Sequence, residues 1–586
     1  MIRSPLRLPA ALALVALTSF VIACGGDDND SGGSANKSNG APTEGKKGGK
    51  LEQLGASDVD FLDPGQTYYS GGYQVQYATQ TSLYVPKPGV EDPVPALAEA
   101  PAEVSEDKKT VTVTLKKGIK FAPPVNREIQ AKDVKYGIER TFSKHVPGQY
   151  TTFYDFIEGA PTKPGAIKDV PGIVIDPEDP YKITFKLAKA QGAGFAASLI
   201  MAYTTPVPKE YAAKFDKETP STYNENVVAS GPYMVRNDDA GKLVGYKVGK
   251  SIELVRNPNW DQSKDFRPAY LDEILLRTNA TDANVAGRQV LQGQNLILDT
   301  NPPAQILKRV VQRQKDQLKT VEGGTFRWVP LNTTIKPLDD LNVRKAILAV
   351  YDRDAARKAR GGEFIGEIAT HFIPPGMSGF EEAGGAKGAG VDFLANPKGD
   401  MALAEKYMKA AGFSSGKYDG TEELLMVGTN VDPGKAVGEV TKAQLEKLGF
   451  KIRLRSVPQD ALYTEWCQQP AKKVAICAGA AWGKDYNDGQ TMLEPIFKGS
   501  TISKEGGNNN MAQLNVAKID KAMDDAALLA GDERAQAWGE IDKMVVEQAP
   551  AVPFVWDKVN LIHSKNVNGV GNAWSSSFDL SFTSIK

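Results

Sequence analysis

Residue types that carry out catalysis or bind metals are few in this chain and lie far apart. The 586 residues include three histidines, His145, His371 and His563, and three cysteines. Imidazole is the usual proton shuttle near neutral pH and the commonest metal ligand, so this spacing argues against both kinds of site. The sequence also has no H-E-x-x-H pair and no G-x-x-x-x-G-K-[ST] phosphate loop. We therefore expect no metal, no cofactor and no enzymatic activity.

One stretch, Gly479–Asp488, combines a carboxylate with aromatic rings. Asp485 follows Trp482 by three residues and immediately precedes Tyr486. A buried ammonium needs an opposite charge and hydrogen bonds to offset its lost hydration, and a carboxylate supplies both. An indole ring offers an apolar wall or a face for a cation. The alternative is that Asp485 only caps a turn in this Asn- and Asp-rich stretch.

Length and composition indicate a large globular protein. A chain of 586 residues exceeds what one hydrophobic core supports, which predicts two or three lobes. Its 41% apolar and 24% charged residues are typical of folded globular chains. The net charge of -1 creates no strong field toward polyanions, so nucleic acid is not an expected partner.

The N-terminus is typical of an export signal. Arg3 and Arg7 precede an apolar run, Leu8–Ala23, that is shorter than the ~20 residues needed to span a bilayer. Val-Ile-Ala-Cys24 resembles the lipobox of bacterial lipoproteins, which implies a signal peptide at 1–23 and a lipid on Cys24. A plain secretory signal is the alternative. Residues 24–50 are mostly Gly, Ser, Asn, Asp and Lys, which predicts a disordered tether.

The two remaining cysteines lie ten residues apart, Cys467 and Cys477. Leftover thiols in an exported protein usually pair. We expect a disulfide that closes a short loop just before the Gly479–Asp488 stretch and stabilises the fold by ~2–3 kcal/mol. Two buried free thiols are the alternative.

Hydrophobic periodicity predicts an α/β protein. Val111–Leu115 alternates like a half-buried strand, and apolar residues recur every four positions from Val134 to Phe142, as on a helix. Leu424–Val427 reads as a buried strand. A helical stripe over Val437–Leu448 follows and ends before Gly449, and an alternating strand comes next. A strand, a helix and a strand in this order predict a parallel crossover. A helical stretch at 518–548 precedes a last predicted strand, 551–556.

Several motifs resemble, in order, those of the extracytoplasmic solute-binding proteins of the peptide/nickel ABC importer family (family 5). The motifs that carry the resemblance cover about residues 50–570 and are Leu62-Asp63-Pro64, Pro95–Ala98, Ser105–Asp107, Val113–Phe121, Ala131–Val134, Ser230–Tyr233, Arg256–Trp260, Leu341–Ile347 with Tyr351–Arg353, Ala410–Phe413 and Ala549–Pro553.

The resemblance implies a two-lobed periplasmic-binding-protein type II fold with a subdomain inserted in the first lobe. The first lobe is expected at 51–82, 226–324 and 562–586, the inserted subdomain at 83–225, and the second lobe at 325–561. A ligand is expected in the cleft between the lobes, which close around it. The implied partners are a peptide or similar small solute and the permease and ATPase subunits of an ABC importer. The protein is expected to be a monomer, held outside the cell membrane by the lipid on Cys24.

The resemblance also assigns site residues. Asp485 is expected to pair with the ammonium of a bound peptide, and Trp482 and Tyr486 to form walls in the stretch that begins at Gly479. Two further groups are expected to face the cleft: Tyr69 and Tyr73, with their neighbours Tyr68 and Ser70, after the Leu62-Asp63-Pro64 motif, and Asn430 after the Leu424–Val427 strand.

The chain departs from dipeptide-binding relatives in one loop. Those relatives carry an Arg there to hold the peptide carboxylate, whereas Thr429–Lys435 has only Lys435, a point charge and not a bidentate fork. We therefore expect oligopeptides in preference to dipeptides. A chelated metal, a sugar or an amine as ligand, and solute sensing in place of import, stay open; a surface hydrolase is the weakest alternative.

Overall fold

The computed structural model describes residues 44–90, 92–148, 150–299, 301–504 and 506–586. The signal peptide, Cys24 and most of the expected tether lie outside these residues. Among the described helices, none has the length and apolar character needed to cross a membrane.

The strands vary from short two-residue pairings to long central strands. In chain order they are β1 Lys50–Leu54, β2 Tyr84–Val85, β3 Val94–Pro95, β4 Glu103–Val104, β5 Thr110–Thr114, β6 Ile173–Ile175, β7 Lys182–Lys186, β8 Tyr233–Val235, β9 Tyr246–Lys247, β10 Ser251–Arg256, β11 Glu273–Arg277, β12 Leu296–Leu298, β13 Leu318–Pro330, β14 Gly366–Glu367, β15 Glu423–Thr429, β16 Lys451–Val457, β17 Ile476–Ala478, β18 Ala480–Gly483, β19 Ala551–Ile562, β20 Val567–Asn568, β21 Gly571–Asn572, β22 Ser577–Phe578 and β23 Ser584–Ile585.

The helices alternate with these strands. In chain order they are α1 Ser70–Thr79, α2 Ala131–Thr141, α3 Gly192–Ser198, α4 Lys209–Ala212, α5 Ala283–Gln292, α6 Ala304–Arg313, α7 Leu341–Val350, α8 Arg353–Arg360, α9 Met401–Ala410, α10 Gly434–Lys447, α11 Gln459–Ala461, α12 Gly489–Phe497, α13 Ala517–Ala526 and α14 Gly531–Glu547. A π-helical turn, Leu462–Cys467, follows α11.

The first lobe is built on a mixed sheet with the strand order β12-β1-β11-β10-β8, and β9 pairs with β10. β1 runs parallel to β11 and β12, which requires crossover connections, whereas β10 runs antiparallel to its neighbours. The inserted subdomain has its own antiparallel sheet, β4-β5-β7-β6. β5 contains the predicted alternating strand: Val111 and Val113 are buried, and the three threonines that alternate with them are partly exposed.

The second lobe carries the sheets β14-β19-β13-β18 and β16-β15-β17. β15 runs parallel to β16 and to β17, and α10 connects β15 to β16. The predicted parallel crossover is therefore confirmed. Gly449, just past α10, has a φ of +87°, the left-handed conformation that ends a helix at little cost for glycine.

Separate hydrophobic cores underlie this organisation. One buried cluster spans mainly residues 326–556, a second spans mainly 83–234, and a third combines residues 51–78, 233–321 and 559–580. A hydrophobic core for each region is what a lobed chain of this length requires. The α/β two-lobed fold expected from the sequence is the fold observed.

Two local predictions need correction. The helical stretch predicted at 518–548 is interrupted, because α13 ends at Ala526 and α14 begins at Gly531, whose φ is +57°. The strand predicted at 551–556 continues to Ile562. The extra residues of this strand pair with the start of β13, a long-range partner that local periodicity does not reveal.

The end of the expected tether has defined contacts. Within the described residues 44–50, the Lys47 side chain donates to Gln262 at 2.7 Å, and the backbone N–H of Gly49 donates to Asp272 at 2.9 Å. Lys46 forms an isolated bridge with Ile585. These contacts attach the chain to the first lobe before β1 begins.

β13 and β19 form the longest strand pair and connect two of the cores. At one end Val321 and Val559 belong to the first-lobe cluster, and at the other end Phe326 and Val555 belong to the second-lobe cluster. The pairing register shifts between Glu322 and Phe326. These two strands therefore cross from one lobe to the other.

Candidate ligand-binding cleft

The carboxylate of Asp485 is buried at the contact between the lobes. Its Oδ2 accepts a hydrogen bond from the Thr491 hydroxyl at 2.8 Å, and the Tyr68 hydroxyl of the first lobe also hydrogen-bonds to the carboxylate. Only 9% of the residue is exposed. Burial raises the pKa of Asp485 to about 7, although the hydrogen bonds from Tyr68 and Thr491 oppose the rise.

No cation compensates this carboxylate within the described residues: no Lys or Arg forms an ion pair with Asp485 there. A buried carboxylate without a counter-charge is costly when ionised, so the arrangement favours a positively charged group from outside the chain.

Trp482 and Tyr486 both lie beside Asp485, but in different surroundings. The Trp482 indole Nε1 donates to the Thr491 carbonyl at 2.8 Å, and its ring centroid lies 6.3 Å from that of Tyr68. Trp482 thus faces the first lobe across the cleft. The Tyr486 ring lies 6.0 Å from Phe153 and is buried in the core of the inserted subdomain. Tyr486 therefore joins the second-lobe stretch to that subdomain.

Tyrosines form the opposite wall. Tyr69 and Tyr73 are half-buried, and the Tyr73 hydroxyl accepts a hydrogen bond from Tyr150 at 3.2 Å. The backbone N–H groups of Tyr68 and Tyr69 both donate to the Asp60 carboxylate, which fixes the entry to α1. The aromatic surface expected after the Leu62-Asp63-Pro64 motif therefore has a rigid base.

The motif itself has a structural role. The Asp63 carboxylate pairs with Arg140 of α2, which also pairs with Asp216. All three side chains are essentially fully buried. This network joins the first lobe to the inserted subdomain behind the tyrosine wall.

Gly479 and Asn430 occupy the ends of second-lobe strands. Gly479 separates β17 from β18 and has a φ of +76°, so it is a turn residue. Asn430 is exposed directly after β15, and its backbone N–H donates to the Val457 carbonyl at 2.8 Å. Gly479 has no side chain, and the Asn430 side chain makes no hydrogen bond to the aromatic wall among the described residues, so the contact of both with ligand stays a prediction.

Sequence reasoning missed Tyr463, which lies in the π-helical turn. Its ring lies 6.2 Å from that of Tyr69, and its hydroxyl accepts the backbone N–H of Ala481 at 3.0 Å. Ala481 belongs to β18, an edge strand, so this N–H points away from the sheet. The irregular turn conformation has no periodic signal by which the sequence could have identified Tyr463.

A cluster formed by Arg327, Arg360 and Asp557 also escaped sequence reasoning. Arg327 Nε donates to Asp557 Oδ2 at 2.8 Å, and Arg360 donates to both oxygens, at 3.0 and 2.6 Å. Burial alone would lower the pKa of Arg327, but the Asp557 carboxylate raises it. The alternation Phe326-Arg327-Trp328 was the available signal, because it predicts that Arg327 points away from the core.

Cys467 and Cys477 are joined by a disulfide in the structure, with their Cα atoms 6.1 Å apart. Cys467 ends the π-helical turn that carries Tyr463, and Cys477 lies in β17. The bond therefore ties this turn to the sheet beside the cleft.

Among the described residues, no cluster of three His, Cys, Asp or Glu side chains is arranged to hold a metal ion. Gly412–Gly416 does match the G-x-S-x-G spacing of a nucleophile elbow. It follows helix α9, whereas an elbow connects a strand to a helix, and Ser414 is exposed.

A separate cavity of about 510 Å³ lies within the second lobe and is lined in part by Arg353, Thr370 and Asp392. The terminal nitrogens of Arg353 donate to the carbonyls of Ala369 and Leu394. This buried arginine therefore crosslinks two loops of the lobe.

Comparison with known proteins identifies the family. The model of bacterial extracellular solute-binding proteins, family 5, matches residues 92–504, which is most of the chain. The protein belongs to this family. The expectation drawn from the sequence motifs is confirmed.

Relatives match over nearly the full length. A heme-binding protein A from Haemophilus influenzae is 27% identical over 94% of both chains, and a dipeptide-binding protein from Pseudomonas aeruginosa is 24% identical over 81% of this chain and 83% of its own. The solved structure of clavulanic acid biosynthesis oligopeptide binding protein 2 superposes with a TM-score of 0.77 at 22% identity, covering 93% of this chain and 96% of that one. This last likeness concerns the fold.

Proposed function

We propose that this family member captures peptides with a free amino terminus between its two lobes and delivers them to an ABC importer. The observation that carries the proposal is the buried Asp485 carboxylate, which has hydroxyl partners but no cation within the described residues. A peptide ammonium would replace its lost hydration with charge-assisted hydrogen bonds.

The surroundings of Asp485 suit a peptide. Tyr68, Tyr69, Tyr73 and Trp482 offer rings with polar groups at their edges, which accommodate side chains of different shapes. The names of relatives that bind dipeptides and oligopeptides support the same ligand class. Ligand binding without catalysis is the simplest function that these residues of the cleft would serve.

A thermal-shift screen of the purified protein tests the ligand class. A ligand that binds only the folded state raises the melting temperature by mass action, so a mixture of oligopeptides should raise it. Haem, chelated nickel, sugars and polyamines are the comparison arms. The proposal fails if one of these raises the melting temperature while peptides leave it unchanged.

The proposed location is the outer face of the cell membrane, with the lipid attached to Cys24. A Cys24→Ala variant should be recovered from the medium or the soluble extracellular fraction, whereas the unsubstituted protein should remain with membranes. Equal membrane recovery of both proteins would argue against this anchor.

A further inference from the structure

We propose that Arg327 binds the carboxylate end of the ligand, so that the cleft recognises both charges of a short zwitterionic peptide. The inference rests on the proposed function, because it assumes that the ammonium end is held by Asp485. It concerns a residue on a core strand, outside every motif that the sequence singled out.

The charge of the cluster is unbalanced. Arg327 and Arg360 share the single carboxylate of Asp557, which leaves one net positive charge. Asp557 is the one carboxylate that acts on Arg327 within the described residues. A partly desolvated cation without a full counter-charge gains from an added anion.

Arg327 is the member of the cluster that an external ligand can reach. Its side chain is 22% exposed, whereas those of Arg360 and Asp557 are 8% and 0% exposed. Arg327 bonds to Asp557 through Nε, and its terminal nitrogens have no further hydrogen-bond partner among the described residues. These two nitrogens suit bidentate binding of a carboxylate.

The strand register places Arg327 beside the cleft. Arg327 on β13 lies opposite Ala481 on β18, and the N–H of Ala481 donates to Tyr463, whose ring faces Tyr69 of the first lobe. Tyr463 also lies close enough to both arginines of the cluster to affect their pKa values. The positive cluster is therefore adjacent to this interlobe tyrosine contact.

The sequence spacing sets an upper limit on how far apart the two anchoring positions of the second lobe lie. Ala481 and Asp485 are four residues apart, and an extended chain of that length spans at most about 14 Å. An extended peptide of about four residues is long enough to bridge this greatest separation. Such a peptide would place its ammonium at Asp485 and its carboxylate near Arg327.

Arg327 would also replace the arginine that the Thr429–Lys435 loop lacks. That loop lacks the arginine of dipeptide-binding relatives, and its Lys435 is exposed at the start of α10. A bidentate anchor on β13 would perform the same recognition from a different element of the second lobe.

The test compares two randomised tetrapeptide libraries, one with free carboxyl termini and one with carboxyl-terminal amides. Thermal-shift titrations of the mature protein should show at least about 10-fold tighter binding of the free-acid library. Arg327→Gln should remove this preference, and Arg327→Lys should retain part of it because a point charge remains. Lys435→Gln is the matched control and should keep the full preference.

The outcomes separate failure of the Arg327 contact from failure of peptide binding. Equal binding of both libraries by the unsubstituted protein overturns the role of Arg327 while leaving peptide capture intact, and this comparison needs no variant. Loss of the preference in Lys435→Gln but not in Arg327→Gln also overturns it. If neither library binds, the proposed function itself fails, and the inference fails with it.

Discussion

Thr491 holds Asp485 at two points: its hydroxyl donates to the carboxylate at 2.8 Å and accepts the Asp485 backbone N–H at 2.9 Å. Thr491 lies in the first turn of α12, whose start is capped by Asp488, and Asp488 is in turn paired with Arg534. The carboxylate therefore has a fixed orientation that does not depend on a ligand. Such preorganisation lowers the entropy cost of binding.

Replacement of Asp485 should affect only ligands with a free ammonium. We expect Asp485→Asn to weaken binding of free-amine peptides by about 10- to 100-fold, because a charge-assisted hydrogen bond of about 1.5–3 kcal/mol is lost. Isothermal titration calorimetry with matched free and N-acetylated peptides measures the difference.

The matched control for this prediction is Asp432→Asn, which changes an exposed acid in the Thr429–Lys435 loop. Its affinity for both peptides should equal that of the unsubstituted protein. An equal loss of affinity for free and acetylated peptides in Asp485→Asn would remove the proposed ammonium contact.

Affinity for free-amine peptides should rise with pH between about 5 and 7. Burial raises the pKa of Asp485 to about 7, so without a bound cation the neutral acid predominates below that pH. A bound ammonium favours the carboxylate and lowers this pKa, so binding releases a proton at acidic pH. Calorimetry in buffers of different ionisation enthalpy measures the released protons.

In Asp485→Asn, affinity should no longer rise between pH 5 and 7. Any change of affinity above pH 7.5 should remain, because it comes from titration of the peptide α-amine. A pH-independent affinity of the unsubstituted protein between pH 5 and 7 would contradict the assignment.

The Asp557 carboxylate should be essential for stability. Asp557→Asn leaves Arg327 and Arg360 close together without their acid, and removal of one partner from a buried ion pair costs about 3–5 kcal/mol. Urea denaturation measures the free energy of unfolding. Asp525→Asn, which removes an exposed pair with Lys521, should change it by no more than about 0.5 kcal/mol; similar losses in both variants would refute the claim.

The disulfide should stabilise the second lobe. Substitution of Cys467 and Cys477 by serine, or their reduction, should lower the free energy of unfolding by about 2–3 kcal/mol, because the short closed loop no longer restricts the unfolded chain. Intact mass under non-reducing conditions establishes the bond, since the oxidised protein is two hydrogen atoms lighter. Two alkylatable thiols in the protein as secreted would show that the bond is absent in the cell.

The local sequence pattern was sufficient to predict most of the helices and strands discussed above, but not the residues that come together at the cleft. The alternation around Val111 and the stripe of α10 depend on neighbours in sequence, so they were predictable. Trp482, Asp485 and Tyr486 were identified by resemblance, and the structure places them together. Tyr463 and Arg327 come together only through strand register and an irregular turn, which a single sequence does not specify.

Tyr486 illustrates the same limit. As an aromatic residue next to Asp485, it was expected to line the cleft, and the structure instead packs its ring against Phe153 of the inserted subdomain. Its ligand contact stays a prediction, but its burial is a packing outcome that depends on where a distant segment folds.

The continuous pairing of β13 with β19 restricts how the protein can release its cargo. Hydrogen bonds on both sides of the shifted register prevent sliding, so opening must bend the pair near Gly324, whose φ is +57°. The N–H of Lys484, next to Asp485, donates to the Gly324 carbonyl at 2.9 Å, whereas Ala481, whose N–H donates to Tyr463, lies farther along β18. Positions farther from the bend move more, so we expect the lobes to part first where Tyr463 meets Tyr69. The acidic tail of a zwitterionic cargo held by Arg327 would then be freed before its amino end.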